Sequence, residues 1–207
     1  MKTIVTSIVL LAWNFSFACT CIPKSLSENY DRSSFIGLVK IVGIKKDETS
    51  NPVRNIFSIE VLNTYNGLVL SEIYGVAAGC AFEGKINSTW LVFATTGVNG
   101  RQETDYCSGN MEFNRLVDST LYPRLQEKMA AELAVKLDVL QFLKDRNIYS
   151  LNPAQLYYRK EGLEENDLRG YIESNGFAVY EATVEPDLSI SNICPLKPFM
   201  NIDLSHN

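Results

Sequence analysis

The chain has 207 residues, of which 46% are hydrophobic, 11% aromatic and 21% charged, with a formal net charge of −5. This is ordinary globular usage with enough residues for a real core, which excludes a disordered chain, and the acidic balance argues against a general nucleic-acid binder. The single histidine, His206, is the second-last residue; that removes serine and cysteine triads and His-ligated zinc, so the chain does not read as an enzyme.

Residues 1–18 read as a secretory signal peptide. Lys2 gives a short basic start, residues 4–13 are apolar apart from Thr6 and Ser7, and Ser16 and Ala18 place small residues at the cleavage-site positions. The run is too short to span a bilayer, and no later stretch approaches the roughly 18 apolar residues that a span needs. No transmembrane segment is therefore expected. The mature chain begins at Cys19, secreted to the extracellular space, or to the periplasm if the host is bacterial. Its cysteines are Cys19, Cys21, Cys80, Cys107 and Cys194, and in an oxidising compartment they read first as disulfide partners. Cys19 and Cys21 are too close in sequence to bridge each other easily, so each reaches to a distant partner. The sequence does not choose the connectivity, and an odd count leaves one thiol free or paired between molecules.

After Cys21, residues 24–32 read as a short helix with Ser25 or Ser27 as its cap. Residues 35–44 are a β-rich run. Residues 47–52 carry turn chemistry, with Asn51-Pro52 as its clearest signal. Residues 55–62 alternate Ile56, Ser58 and Glu60 with Phe57, Ile59 and Val61, which predicts a half-buried strand. Asn66-Gly67 marks a turn, and residues 68–76 are the next strand candidate. Trp90-Leu91-Val92-Phe93-Ala94, within 89–95, is the strongest buried-strand signal. Asn99-Gly100 then turns the chain into a last short strand over 102–107. Short strands with turns at close spacing predict a small barrel or sandwich.

From residue 114 the pattern changes. Leu125, Met129, Leu133, Leu137, Leu140 and Leu143 recur at helical spacing within 123–147, which predicts an amphipathic helix packed on the barrel. Pro123 suits its first turn, Thr120 is a candidate cap, and Glu132 and Lys136 form an i,i+4 pair. Residues 150–207 read as a small α+β extension: a short helix opened by Asn152-Pro153, a strand over 177–184, a turn at Pro186-Asp187 and a strand over 189–194, with Pro195 and Pro198 breaking the pattern. Two strands and a helix make too little core to stand alone, so this extension is expected to dock on the rest. Its 176–197 stretch resembles the β-turn-β of the C-terminal module in TonB-type energy transducers, with Leu188 where that family's turn glycine stands. Glu164-Glu165 and the other carboxylates read as a solvated face, and Asn87-Ser88-Thr89 is an N-glycosylation sequon with meaning only in a host that glycosylates.

The sharpest chemical feature is a cysteine at position one of the mature chain, inside Cys19-Thr20-Cys21-Ile22-Pro23. A free N-terminal residue offers its α-amine and its own carbonyl oxygen as a five-membered chelate for zinc. The α-amine has an ordinary pKa of roughly 7.7–8.0, so its neutral donor form is accessible near physiological pH.

This start, directly after a signal peptide, resembles the mature start of the tissue inhibitors of metalloproteinases. The resemblance continues through residues 35–44, Tyr65-Asn66-Gly67, Ala77-Ala78-Gly79-Cys80, residues 91–94 and Asp105-Tyr106-Cys107. It covers residues 19–113, the inhibitory netrin-like domain, and implies a mostly β, OB-type five-stranded barrel with packed helices, followed here by a helix within 114–149 and the 150–207 extension. It also implies the bridges Cys19–Cys80 and Cys21–Cys107, leaving Cys194 unpaired. The resemblance further implies a partner, a zinc metalloendopeptidase whose catalytic zinc Cys19 chelates. Thr20 would enter the S1′ pocket, Cys21, Ile22 and Pro23 would continue along the primed cleft, and Ala78 and Gly79 would fill the unprimed side. No cofactor and no metal of the chain's own are implied. The family's third bridge in this domain has no counterpart near Asp31, and its second, six-cysteine domain has none after residue 113. The competing expectation is a netrin-like binding or envelope module without inhibitory activity, lipid-anchored through Cys19 if a bacterial lipidation machinery accepts Ser16-Phe17-Ala18 as its signal.

Overall fold

The computed structural model describes residues 19–22, 24–113, 115–116, 118, 121–148 and 176–200. The expected signal peptide over 1–18, Pro23, the candidate cap Thr120, the helix expected from Asn152, Glu164-Glu165 and His206 lie outside the described residues.

Helix α1 spans Leu26–Arg32. Ser25 caps it, its hydroxyl accepting the Glu28 backbone N–H at 3.1 Å, and Glu28 pairs with Arg32 one turn on at 3.1 Å. Six strands follow: β1 Phe35–Asp47, β2 Arg54–Asn66, β3 Glu72–Val76, β4 Thr89–Thr96, β5 Gln102–Thr104 and β6 Met111–Phe113. Five of them close in the order β1-β2-β3-β5-β4, with β4 returning to β1, and β6 adds to the far end of β4. All of these pairings are antiparallel except β3 with β5. The molecule is mostly β, an OB-type barrel with packed helices.

Alternation along the strands builds two apolar layers. Phe35, Val39 and Ile41 of β1, Phe57 and Ile59 of β2, Ile73 of β3, and Val92 and Ala94 of β4 fill the barrel with Phe82. Ile36, Leu91 and Phe93 point the other way, into a second cluster with Tyr30, Tyr65, Leu133 and Leu140. The unbroken apolar run in β4 is thus a strand buried on both faces. The Asn66-Gly67 turn needs its glycine: φ is +83°, and a Cβ there would run into the Ser34 carbonyl oxygen.

Helix α2, Leu125–Asp145, supplies the lid of the second cluster. Leu133 and Leu140 are buried, Leu137 and Leu143 pack beside them, and Glu132 pairs with Lys136 at 2.8 Å. The helix begins later than the sequence suggests. Arg124 sits in the left-handed region at φ 70° without a side-chain cap, which puts Pro123 outside the first turn.

Strands β7 (Val179–Val184) and β8 (Ile190–Lys197) form a separate antiparallel hairpin. Most of their residues are exposed, so the hairpin has little core of its own. Phe177 meets Phe142 of α2 edge-on, at 6.2 Å between ring centroids. Leu188 adopts φ 67° in the turn, the left-handed geometry for which glycine is best suited. Strand β8 continues through Pro195, which stands opposite Tyr180; proline is tolerated because each strand of a two-stranded sheet has a free edge.

At the end of β1, Asp47 accepts the Thr49 hydroxyl at 2.6 Å and the Arg101 guanidinium at 3.1 Å. The Thr49 hydroxyl, opposed by partial burial and helped by Arg101, holds the Asp47 carboxyl below its ordinary 3.8. A depressed folded-state pKa stabilises fully above the unfolded value and is lost as the pH falls through the folded value. Asp47→Asn should therefore lower the melting temperature at neutral pH, and the difference from wild type should close well below pH 3.8. A difference that is constant across that range would place the stabilisation elsewhere.

Candidate functional site around Cys19 and Cys21

Parallel strands leave a sheet in the same direction, and β3 and β5 are the parallel pair. The loops that follow them, around Cys80 and Cys107, consequently emerge at one end of the barrel. They are tied together there by the Tyr106 N–H, which donates to the Cys80 carbonyl oxygen at 3.0 Å. The second loop is a tight turn in which Ser108 donates its hydroxyl to Asp105 at 2.8 Å and Asn110 donates to the Asp105 carbonyl at 2.9 Å.

The N-terminal segment is fastened to these two loops. Cys19 is bridged to Cys80 and Cys21 to Cys107, with Cα separations of 5.4 and 5.3 Å. These are the two pairings that the family resemblance implies. The bridges lie side by side, Cys19 Sγ standing 3.9 Å from Cys107 Sγ. Cys194 is free and exposed on β8.

This arrangement brings together Thr20, Ile22, Ala78 and Gly79, all exposed, beside the half-buried cysteines. Ile22 is 83% exposed. Gly79 has φ 69° and nothing within 4 Å of where a Cβ would stand, so the surface there is open. Pro23 lies outside the described residues. Tyr106, next to Cys107 in the second bridged loop, is 57% exposed. The Asp105-Tyr106-Cys107 motif assigns Tyr106 no role by itself; the Cys21–Cys107 bridge is what sets it near the fastened segment. Neither Cys19-Thr20-Cys21-Ile22 nor Ala77-Ala78-Gly79-Cys80 carries an ionisable side chain apart from the bridged cysteines. Charge depletion of this kind is typical of the centre of a protein–protein interface.

The sulfurs of Cys19, Cys80 and Cys107 lie within 4.8 Å of one another, but all are taken up in bridges and present no thiolate to a metal. Beside them, Arg54 and Glu103 form an ion pair at 2.6 Å that lines a polar pocket of about 110 Å³. A larger, mainly apolar cleft of about 920 Å³ opens between α1, the end of α2 and the hairpin, and includes none of Thr20, Ile22, Ala78 and Gly79. Among the described residues no helix is long and apolar enough to cross a membrane. Compared with protein-family models and with curated protein sequences, the chain matches none.

Proposed function

We propose that the protein is a secreted inhibitor of zinc metalloendopeptidases, and that it acts through the amine and carbonyl of Cys19 as the mature N-terminus. The observation that carries this reading is the fastening of Cys19 and Cys21 to two loops at one barrel end, so that Thr20, Ile22, Ala78 and Gly79 form one exposed, uncharged edge.

Such an edge can enter an active-site cleft as a wedge. The Cys19 amine and carbonyl oxygen would take the coordination position of the zinc-bound water, Thr20 would enter the S1′ pocket, and Cys21, Ile22 and Pro23 would run along the primed side. Ala78 and Gly79, small and exposed, would line the unprimed side. The zinc belongs to the target, so the chain needs no cofactor, and it blocks chemistry rather than performing it. Bridges at Cys19 and Cys21, one residue apart, fasten the wedge to the barrel, which cuts the ordering cost of association.

The test is inhibition of a panel of zinc endopeptidases by the secreted protein, with its intact mass measured alongside. The reading expects a mass that begins at Cys19, lacks the hydrogens removed by two bridges and carries no adduct. An added lipid would block the amine and move the assignment to an anchored binding module. Thr20→Gly should weaken inhibition roughly tenfold or more and broaden it across the panel, because a pocket contact is lost while the zinc ligands stay. Unchanged potency and selectivity would remove Thr20 from the cleft.

A further inference from the structure

Cys19 Sγ lies 3.9 Å from Cys107 Sγ although neither is bonded to the other. We propose that the paired bridges form a thiol-catalysed exchange site. It interconverts the pairing Cys19–Cys80 with Cys21–Cys107 and a crossed pairing, Cys19–Cys107 with Cys21–Cys80.

The steps balance with a small thiol as catalyst. Its thiolate attacks Cys80 Sγ, forming a mixed disulfide there and releasing the Cys19 thiolate. That thiolate attacks Cys107 Sγ, forming Cys19–Cys107 and expelling the Cys21 thiolate. Cys21 then attacks the mixed disulfide at Cys80, closing Cys21–Cys80 and returning the small thiolate. No net oxidation or reduction occurs. All four cysteines are half-buried and none is sealed in the core; the rate of the first attack is set by access to the Cys80 sulfur.

Three features favour exchange over a fixed pair of staples. The second step has its nucleophile and target already at contact distance. The loop lengths give no preference: Cys19 to Cys107 spans 88 residues and the Cys21–Cys107 loop spans 86, and closure entropy grows only with the logarithm of length. The part that must move, residues 19–22, lies in no helix or strand, while the receiving loops stay tied through Tyr106 and Cys80. Crossing the bridges fastens Cys19 to the turn at 105–108 and Cys21 to the loop at 77–80, which takes the mature terminus away from Ala78 and Gly79. That consequence rests on the inhibitory reading. The exchange itself does not.

The test reads sulfur connectivity and not inhibition. In the secreted Cys80→Ser protein, Cys19 is left as a thiol beside the Cys21–Cys107 bridge. The free thiols are trapped with N-ethylmaleimide, the bridge is reduced and alkylated with iodoacetamide, and the tryptic peptide ending at Lys24 is fragmented to locate each label. Exchange puts the maleimide on Cys21 in about a tenth or more of the molecules, since neither loop is entropically preferred. Maleimide on Cys19 alone would overturn the proposal. Wild type gives a second reading that needs no substitution: after limiting phosphine reduction and trapping, the singly opened species is isolated. Exchange joins the Cys107 peptide to the N-terminal peptide through Cys19 in a measurable fraction; joining through Cys21 alone would again overturn it.

Discussion

An alanine added ahead of Cys19 should abolish inhibition while leaving the barrel folded. The added residue converts the Cys19 amine into an amide, whose nitrogen lone pair is delocalised into the carbonyl and is a poor metal donor. It also places a peptide group where the zinc must sit. The expected loss is at least about a hundredfold in the inhibition constant, about 2.8 kcal/mol of binding. Acetylating the amine should act in the same way, without adding a residue. The sign of the pH dependence follows from the same lone pair. Protonation removes the donor, so inhibition by the native form should weaken as the pH falls below the ordinary α-amine range of roughly 7.7–8.0. The measurement is a titration of zinc endopeptidases with native, alanine-extended and acetylated proteins, the fold of each checked by circular dichroism. Equal inhibition by native and extended forms would rule out chelation. Absence of inhibition by every form would transfer the assignment to a binding module that uses the barrel surface.

Much of the barrel was legible because its signals are local. The alternation of Phe57 and Ile59 with polar neighbours gave β2, and the run from Trp90 to Ala94 gave β4. The start of α1 was narrowed to Ser25 or Ser27, and Ser25 is the cap. Where expectation and structure part, the deciding contacts are not local. Leu68 and Val69 look like strand residues but are strongly exposed, and β3 starts only at Glu72, where pairing with Ser58 of β2 begins. The expected strand over 102–107 stops at Thr104 because Asp105 and Ser108 turn the chain, and the pairing resumes in β6, too short to show a period. At the site, the cysteines and the uncharged segments between them could be read directly. Their connectivity could not, since spacing alone allows several pairings and only the parallel β3–β5 pair brings Cys80 and Cys107 to one end of the barrel.

Replacing both Cys80 and Cys107 with serine should be the most damaging change to stability. In the chain-entropy account, closing loops with sequence separations of 61 and 86 residues restricts the unfolded chain. Each bridge then contributes roughly 4 kcal/mol, the two together a large part of the roughly 5–15 kcal/mol that separates folded from unfolded domains. The double variant should melt about 20 °C or more below wild type, at roughly 2–4 °C per kcal/mol for a chain of this size. Its refolded barrel should still show the β-sheet signal under conditions where it is folded, because the Phe35, Phe57, Ile73 and Val92 core does not depend on sulfur. The two functions of the bridges then separate. Loss of stability is a property of the unfolded chain and follows from any closure of those loops, whereas the placement of Thr20 and Ile22 beside Ala78 and Gly79 is a property of the folded one. The variant should for that reason bind no target even at temperatures where its barrel is intact. A melting transition within a degree or two of wild type would show that these bridges do not close the loops in solution.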